Sequence, residues 1–177
     1  MTRVLYVVAC ASPPVHYIAD MITASQAREW NVCLVLTPSA RLWLSGQIEG
    51  LSALTGYPVR DAYKLPGEPD ALPPADAIAV TPASANTINK WAAGLGDNLA
   101  LGLITEAIGK GVPLVAIPFV NVWQAAHPAF DQSVATLRAA GVTVLLDESG
   151  SQSSHVAGGF RSDDFPWSRA LDALEPG

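Results

Sequence analysis

Small hydroxyl and amide side chains follow four apolar segments of this chain, and they are the residues best suited to bind a ligand. They are Ser12, Thr37 with Ser39, Ser84 with Asn86 and Thr87, and Asn121. Such groups can hydrogen-bond a phosphate, a ribityl chain or a ring carbonyl without crowding a flat molecule. Taken singly, each is better explained as a helix cap or a turn residue. Their recurrence at four successive segment ends favours a binding site.

Two common nucleotide-binding motifs are absent from the sequence. The GxGxxG fingerprint does not follow the first apolar segment, and no GxxxxGK[ST] loop occurs. A phosphate cradle that includes a lysine is therefore not available. This favours a mononucleotide held by hydroxyl groups and by backbone N–H groups at helix N-termini.

The apolar segments are continuous and rich in valine, as expected for strands that are buried on both faces. The predicted strands span residues 4–11, 32–36, 77–81, 112–118 and 142–146. Helices are predicted from residue 15, from near Ala40 with Ser39 as its cap, after residues 82–87 to about Ala93, over 97–110 with Gly111 as its C-terminal cap, and over 128–140. This alternation predicts an α/β fold: a three-layer, Rossmann-like (flavodoxin-like), doubly wound parallel sheet in a single domain over residues 1–177.

Three segments lie outside the alternating pattern. Residues 65–74 contain four prolines and two acidic residues and are predicted to form a loop. Residues 149–162 are rich in Ser and Gly and are predicted to be a mobile loop, and residues 163–177 are predicted to form a C-terminal tail helix. In parallel sheets of this kind, ligands bind outside the carboxyl ends of the strands. We therefore expect the hydroxyl and amide residues to share one edge.

Composition and charge narrow the class of partner. Half of the 177 residues are apolar and 15% are charged, which favours covering of part of the surface by partner subunits. The net charge of −6, with no run of Lys or Arg, argues against nucleic acid. The first apolar run ends at Pro13-Pro14, too short to cross a membrane, so we expect a cytoplasmic protein. Cys10 and Cys33 are expected to be buried free thiols, and no metal-ligand spacing occurs.

Residues 81–87 (TPASANT), continuing through Lys90, Gly94 and 97–99 (DNL), resemble the Pro-Ala-Ser-Ala-Asn-Thr signature of the homo-oligomeric flavin-containing cysteine decarboxylases. That family includes the peptidyl-cysteine and the phosphopantothenoylcysteine decarboxylases. Residues 118–121 (PFVN), with His127-Pro128 downstream, are similar to its second signature, Pro-X-Met-Asn-X-X-Met-Trp. Residues 35–40 (VLTPSA) are similar to the family's segment after the second strand. The resemblance covers nearly the whole chain.

The resemblance implies FMN bound between the subunits of a homotrimer that often assembles further into a dodecamer. The residues implied to contact FMN are Ser12, Thr37, Ser39, Ala83, Ser84 and Asn86. Asn121 is implied to hold the carboxylate of the substrate, a peptide that ends in cysteine. The implied reaction is an oxidative decarboxylation to an aminoenethiol. Removal of two electrons from the C–S unit gives a thioaldehyde, which is an electron sink for the loss of carbon dioxide.

The sequence departs from this family at the catalytic base. The family's histidine precedes the first signature by about a dozen residues, and in this chain the counted position holds Glu68. Glu68 is either a base with a raised pKa or an exposed loop acid. His16, after the first strand, is either a base near the phosphate end of FMN or a polar surface residue. His127 is expected to open a helix.

Further departures leave the reaction open. Val120 and Gln124-Ala125 replace methionine and a Met-Trp pair, and residues 149–159 contain no cysteine. The missing cysteine makes phosphopantothenoylcysteine decarboxylation the weakest interpretation. The alternative to peptide decarboxylation is an FMN-binding member of the family without that activity. Trp123 is predicted to lie near a pocket, whereas Trp30, Trp43, Trp91 and Trp167 are predicted to fill core or interface space.

Overall fold

A computed structural model describes residues 3–146 and 165–175. Its strands are β1 (Arg3–Ala9), β2 (Trp30–Leu36), β3 (Ala77–Ala83), β4 (Leu114–Pro118) and β5 (Thr143–Val144). Its α-helices are α1 (Ile18–Gln26), α2 (Pro38–Trp43), α3 (Ile48–Thr55), α4 (Ala85–Ala92), α5 (Leu99–Lys110), α6 (Val122–Ala125), α7 (Pro128–Ala139) and α8 (Trp167–Leu174). A 3-10 helix, Pro13–Tyr17, joins β1 to α1.

The five strands form one parallel sheet in the order β2-β1-β3-β4-β5. This is the strand order of flavodoxin-like folds, so the predicted fold class is confirmed. Ala9 at the end of β1 pairs with Leu36 at the end of β2, and Ala83 of β3 pairs with Pro118 of β4. The carboxyl ends of these four strands therefore lie side by side along one edge.

Helices cover both faces of the sheet, because the strands are apolar on both. Side chains alternate along β1: Leu5 and Val7 belong to one buried cluster, and Tyr6 and Val8 to the other. The first cluster includes apolar residues of α1, α3 and α8. The second includes those of α4, α5 and α7. The result is the predicted three-layer arrangement.

The helix after β2 corrects one prediction. Thr37, not Ser39, caps it: the Thr37 hydroxyl accepts a hydrogen bond from the Ala40 N–H at 3.4 Å. Pro38 is the first helical residue, where the missing N–H costs nothing and the fixed φ suits the helix. The extended residue just before Pro38 therefore becomes the cap, and Ser39 lies exposed in the first turn. The C-terminal cap of α5 at Gly111 is confirmed, with φ of 69°.

Segment boundaries account for the other differences. Helix α3 lies in a stretch that lacked a clear pattern and was not predicted. Strands β4 and β5 are shorter than the apolar runs 112–118 and 142–146 from which they were expected. The predicted mobile loop 149–162 lies outside the described residues, as does the start of the predicted tail helix.

Residues 57–76 cross from the edge of β2 to β3 without forming a helix. Arg60 makes a parallel bridge to Val35 on the outer side of β2. The Tyr6 hydroxyl, on the sheet, donates to the Pro73 carbonyl at 2.7 Å. The predicted loop over 65–74 is confirmed, and its far end is fixed to the sheet by this hydrogen bond.

The Tyr6 phenol, which is hydrogen-bonded to this crossing segment, makes the stability of the fold depend on pH in the alkaline range. Burial is the main cause that raises the pKa of Tyr6 to about 12, from 10.0. The folded state favours the protonated phenol, so its contribution is complete below pH 10 and is lost as the pH rises through 12. We expect Tyr6→Phe to lower the free energy of unfolding by about 1 kcal/mol at pH 8, because the hydrogen bond to Pro73 is lost. Urea unfolding at pH 8 and pH 11 should show this difference shrinking; a constant difference would contradict the assignment.

Candidate functional site

The predicted ligand residues follow the carboxyl ends of β2, β1, β3 and β4. Backbone hydrogen bonds hold these ends together beyond the paired residues. The Thr37 N–H donates to the Ala9 carbonyl at 3.0 Å, and the Cys10 N–H donates to the Pro82 carbonyl at 3.0 Å. The Phe119 N–H donates to the Ala83 carbonyl at 2.8 Å. We call the region formed by residues 10–12, 37–39, 83–87 and 119–121 the carboxyl edge.

Ser12 is the residue of the carboxyl edge whose hydroxyl is least committed. It precedes the 3-10 helix in extended conformation, and its side chain makes no capping hydrogen bond. Only 5% of the residue is exposed, and its hydroxyl has no hydrogen-bond partner among the described residues. The Ser12 oxygen is not among the fully buried side-chain atoms that lack a partner, so it is available to hydrogen-bond a ligand at the carboxyl edge.

The end of β3 carries a hydrogen-bonded network that the sequence did not reveal. The Cys10 thiol donates to the Thr87 hydroxyl at 3.2 Å, and the Ser84 hydroxyl also donates to it at 3.2 Å. Ser84 caps α4 by accepting from the Thr87 N–H at 3.2 Å. Burial raises the pKa of the Cys10 thiol, which therefore stays protonated and acts as a hydrogen-bond donor. Both cysteines are free and buried, as predicted.

The other predicted ligand-binding residues, which follow β2 and β3, differ in their exposure. Thr37 is buried and its hydroxyl caps α2, whereas Ser39 is exposed. Ala83 is fully buried, and its carbonyl is already used by Phe119. Asn86 is exposed in the first turn of α4. The N–H groups at the start of α4 add donors for an anion.

His16 lies flat against an aromatic ring of α2. Its ring centroid is 5.7 Å from that of Trp43, and the two planes differ by 6°. This stacking ties the 3-10 helix after β1 to the helix after β2. His16 and Trp43 are both exposed to solvent. Trp30, Trp91 and Trp167 are buried in the core, as predicted.

Asn121 has one half of its amide committed and the other half free. Its Oδ1 accepts from the Gln124 N–H at 2.8 Å, and Gln124 Oε1 accepts in return from the Asn121 N–H at 3.2 Å. This capping box starts α6. The Asn121 Nδ2 group has no hydrogen-bond partner in the described part of the chain, and the residue is exposed. It can therefore donate to an anionic group at the carboxyl edge.

The structure does not join Glu68 to the carboxyl edge. Its carboxylate accepts from the Leu65 N–H at 2.8 Å, within its own exposed turn. None of the hydrogen bonds or ion pairs between described residues links Glu68 to residues of that edge. His127 caps α7, with Nδ1 accepting from the Ala129 N–H at 3.1 Å, as its predicted structural role requires. Trp123, beside Asn121, is 82% exposed.

Residues 3–146 and 165–175 contain neither a candidate metal site nor a helix that could span a membrane. No group of three or more His, Cys, Asp or Glu residues in that part of the chain could hold a metal ion. In the same ranges, every helix falls short of the length and apolar character needed to cross a bilayer.

The sequence pattern of a known family covers nearly all of the chain. The model of the flavoprotein family matches residues 2–158. The chain belongs to the flavoprotein family. This confirms the resemblance drawn from residues 81–87 and 118–121, and it places the carboxyl edge of this flavoprotein inside the matched region.

Two curated relatives of the flavoprotein carry related activities in their names. One is a cysteine/cysteine sulfinic acid decarboxylase from an unknown prokaryotic organism, 34% identical over 83 residues, which are 47% of this chain and 22% of that protein. The other is the coenzyme A biosynthesis bifunctional protein CoaBC of Vibrio vulnificus strain YJ016, 27% identical over 140 residues, which are 76% of this chain and 34% of that protein. The alignments therefore span about a fifth and a third of the length of these relatives.

Solved structures share the fold over nearly its full length. The peptidyl-cysteine decarboxylase EpiD has a TM-score of 0.74 at 22% identity, covering 98% of this chain and 99% of that one. A variant of EpiD has been solved in complex with the substrate peptide DSYTC. The FMN-dependent cysteine decarboxylase SpaF has a TM-score of 0.72 at 20% identity, covering 99% and 98%. AnUbiX, in complex with FMN and dimethylallyl pyrophosphate, has a TM-score of 0.76 at 14% identity, covering 98% and 93%. At these identities, the likeness shows the fold.

Proposed function

We propose that this flavoprotein binds FMN at the carboxyl edge and decarboxylates the C-terminal cysteine of a peptide to an aminoenethiol. One observation carries the proposal. The carboxyl edge presents two polar groups without protein partners among the described residues, the Ser12 hydroxyl and the Asn121 amide nitrogen. The Ser12 hydroxyl is suited to hydrogen-bond the cofactor, and the Asn121 amide nitrogen is suited to donate to the carboxylate of the substrate.

The residues at this edge fit FMN. Those proposed to hold it are Ser12, Thr37, Ser39, Ala83, Ser84 and Asn86. Hydroxyl groups and helix N-terminal N–H groups together bind phosphates and polyols without a lysine. When bound, FMN supplies a two-electron acceptor for oxidation of the substrate's C–S unit. The family assignment and the FMN-dependent structural neighbours support this choice of cofactor.

Asn121 is proposed to position the substrate. An amide N–H donates to a carboxylate without forming an ion pair, so it orients the group while opposing the loss of carbon dioxide less than a cation would. The capping box fixes Oδ1 toward α6, which leaves Nδ2 as the donor. The peptide bound by EpiD ends in cysteine, which supports the same substrate class here.

Glu68 and His16 are the two candidates for proton transfer. Glu68 occupies the counted position of the family's histidine, but its carboxylate is turned toward Leu65. His16 lies in the 3-10 helix that follows Ser12, and its ring stacks on Trp43. Large exposed apolar side chains, including Tyr17, Trp43 and Trp123, support the proposal that copies of this chain cover the edge in a homotrimer or dodecamer. We place the assembly in the cytoplasm.

A second candidate function is FMN binding without cysteine decarboxylation. The absence of a histidine between His16 and His127 favours it. The likeness to AnUbiX, which was solved with FMN and a prenyl pyrophosphate, supports the same alternative. Phosphopantothenoylcysteine decarboxylation is less favoured.

The test uses purified protein, FMN and a peptide that ends in cysteine. We expect a yellow protein that removes about 46 daltons, the mass of carbon dioxide plus two hydrogens, from the peptide DSYTC. The same peptide ending in serine should keep its mass and serves as the control. A yellow protein that leaves a range of cysteine-ended peptides unchanged would favour the second candidate. Protein that stays colourless after soaking with FMN would refute both.

A further inference from the structure

A cavity of about 560 Å³ lies between the crossing segment and helix α5. We call it the side cavity. Its floor includes Tyr6 and Ile78 of the sheet, its inner wall Leu103 of α5, and its outer wall Tyr63 and Leu72 of the crossing segment. Its volume falls within the range of small-molecule sites, about 300–1,000 Å³. None of its lining residues belongs to the carboxyl edge.

The inside of the side cavity is suited to an apolar chain. Ile78, Leu103, Ala107 and Val112 contribute apolar side chains. The polar atom on the floor, the Tyr6 hydroxyl, is already satisfied by the Pro73 carbonyl at 2.7 Å. A ligand group placed there would therefore find carbon surface and no free hydrogen-bond partner, so burial of methylene groups would supply the affinity.

The rim of the side cavity carries one excess positive charge. Lys64 pairs with Asp70 at 2.6 Å, and Lys110 pairs with Glu106 at 2.7 Å. Arg60 also lines the cavity, and it forms no ion pair within 4 Å in the described part of the chain. Lys64, and to a smaller degree Arg60, lower the pKa of the Asp70 carboxyl, so Arg60 faces a carboxylate that is already paired with Lys64. The Arg60 guanidinium donates to the Ala62 carbonyl at 3.1 Å, which leaves its other N–H groups available. The chain as a whole has a net charge of −6, whereas this rim has one excess positive charge. The rim therefore suits one anionic head group.

The outer wall is held in place by a contact that only glycine permits. The Tyr63 hydroxyl lies 3.0 Å from the Asn98 carbonyl and 3.3 Å from the Gly96 carbonyl, just before α5. A Cβ atom built on Gly102 would lie 1.9 Å from the Tyr63 hydroxyl and 2.9 Å from its Cζ atom. An alanine at position 102 would therefore force the Tyr63 ring, which forms part of the outer wall, to move away from α5.

We propose that the side cavity binds a medium-chain carboxylate, with its alkyl chain on the apolar floor and its head group at Arg60. This site is independent of the proposed FMN chemistry. Three features meet in it: an apolar floor, a rim with one excess positive charge, and a wall residue, Tyr63, that packs against Gly102.

The first experiment measures binding of hexanoate, octanoate and decanoate to the FMN-treated protein by calorimetry, with octanamide as the uncharged control. Each added methylene should strengthen binding about fourfold, and octanamide should bind at least about tenfold more weakly than octanoate. Absence of saturable binding, which includes closure of the cavity by a second copy, would overturn the proposal. So would equal binding of octanoate and octanamide, or release of FMN by octanoate.

Two glycines of α5 provide a matched pair of variants. Gly102→Ala should weaken octanoate binding at least about tenfold, because Tyr63 must move. Gly109→Ala makes the same chemical change on the same helix with nothing within 4 Å, and should leave binding unchanged. Equal losses in the two variants would overturn the proposal. If Gly102→Ala fails to fold, Arg60→Gln decides: octanoate should lose its advantage over octanamide, and a retained advantage refutes the site.

Discussion

The Asn121→Asp variant is expected to lose at least about a hundredfold in kcat/KM for a cysteine-ended peptide while it keeps its fold and its FMN. Aspartate caps a helix as well as asparagine does, so the hydrogen bond from the Gln124 N–H, 2.8 Å in the structure, is retained. The substitution removes only the Nδ2 donor and replaces it with negative charge. That charge would repel the carboxylate that the amide is proposed to hold, and loss of one such donor alone costs roughly a hundredfold or more.

The chain offers a matched control for this variant. Asn98 also caps its helix, its side chain accepting from the Leu101 N–H at 3.0 Å, while its Nδ2 donates to the Asp97 carboxylate at 3.2 Å. It follows the carboxyl end of α4, about 12 Å along that helix from the carboxyl edge. Asn98→Asp should therefore keep its activity. Peptide decarboxylation, absorbance of bound FMN and thermal unfolding should be measured for both variants. An active Asn121→Asp protein would contradict the role of Asn121, as would one that loses FMN together with activity.

The sheet could be predicted from the sequence because its strands are buried on both faces. Continuous apolar runs such as 4–11 and 32–36 differ from the sequence patterns of turns and of amphipathic helices, and they are typical of strands buried on both faces. Helix α3 was missed because its buried residues, Leu51 and Thr55, mark only one narrow face. Strand β5 covers only two residues of its apolar run. Apolar content thus locates an element better than it sets its ends.

The carboxyl edge was predictable in position but not in the state of each side chain. The sequence placed Ser12 and Ser84 after neighbouring strands, and the structure aligns those strand ends. It could not show that the Ser84 side chain caps α4 while the Ser12 side chain makes no capping hydrogen bond, because that depends on the local backbone. The Cys10–Thr87 hydrogen bond joins residues 77 positions apart and follows only from the strand register. Likewise, counting along the chain assigned Glu68 to the position of the family's histidine, but it could not show where the Glu68 carboxylate lies in the fold.

The Ser84→Asp variant is expected to stabilise the apoprotein and to weaken FMN binding by at least about a hundredfold. Aspartate is a good N-cap, and its negative charge is favourable at the positive end of the α4 dipole, so thermal unfolding should shift upward. The same charge would lie beside the proposed cofactor. Like charges in a partly buried site repel more strongly than in water, and the FMN phosphate carries up to about two charges.

The Ser84→Asn variant separates charge from size, since asparagine has nearly the shape of aspartate and also caps helices. Both variants lose the hydrogen bond from Ser84 to the Thr87 hydroxyl, and both leave the Cys10 donor in place. Titration of FMN fluorescence should therefore show a much smaller loss of affinity for Ser84→Asn than for Ser84→Asp. The effect of Ser84→Asp should also diminish at high salt, because screening weakens charge repulsion. Equal losses in the two variants would show that bulk, not charge, disturbs the site, and unchanged FMN affinity in Ser84→Asp would place the cofactor away from the end of β3.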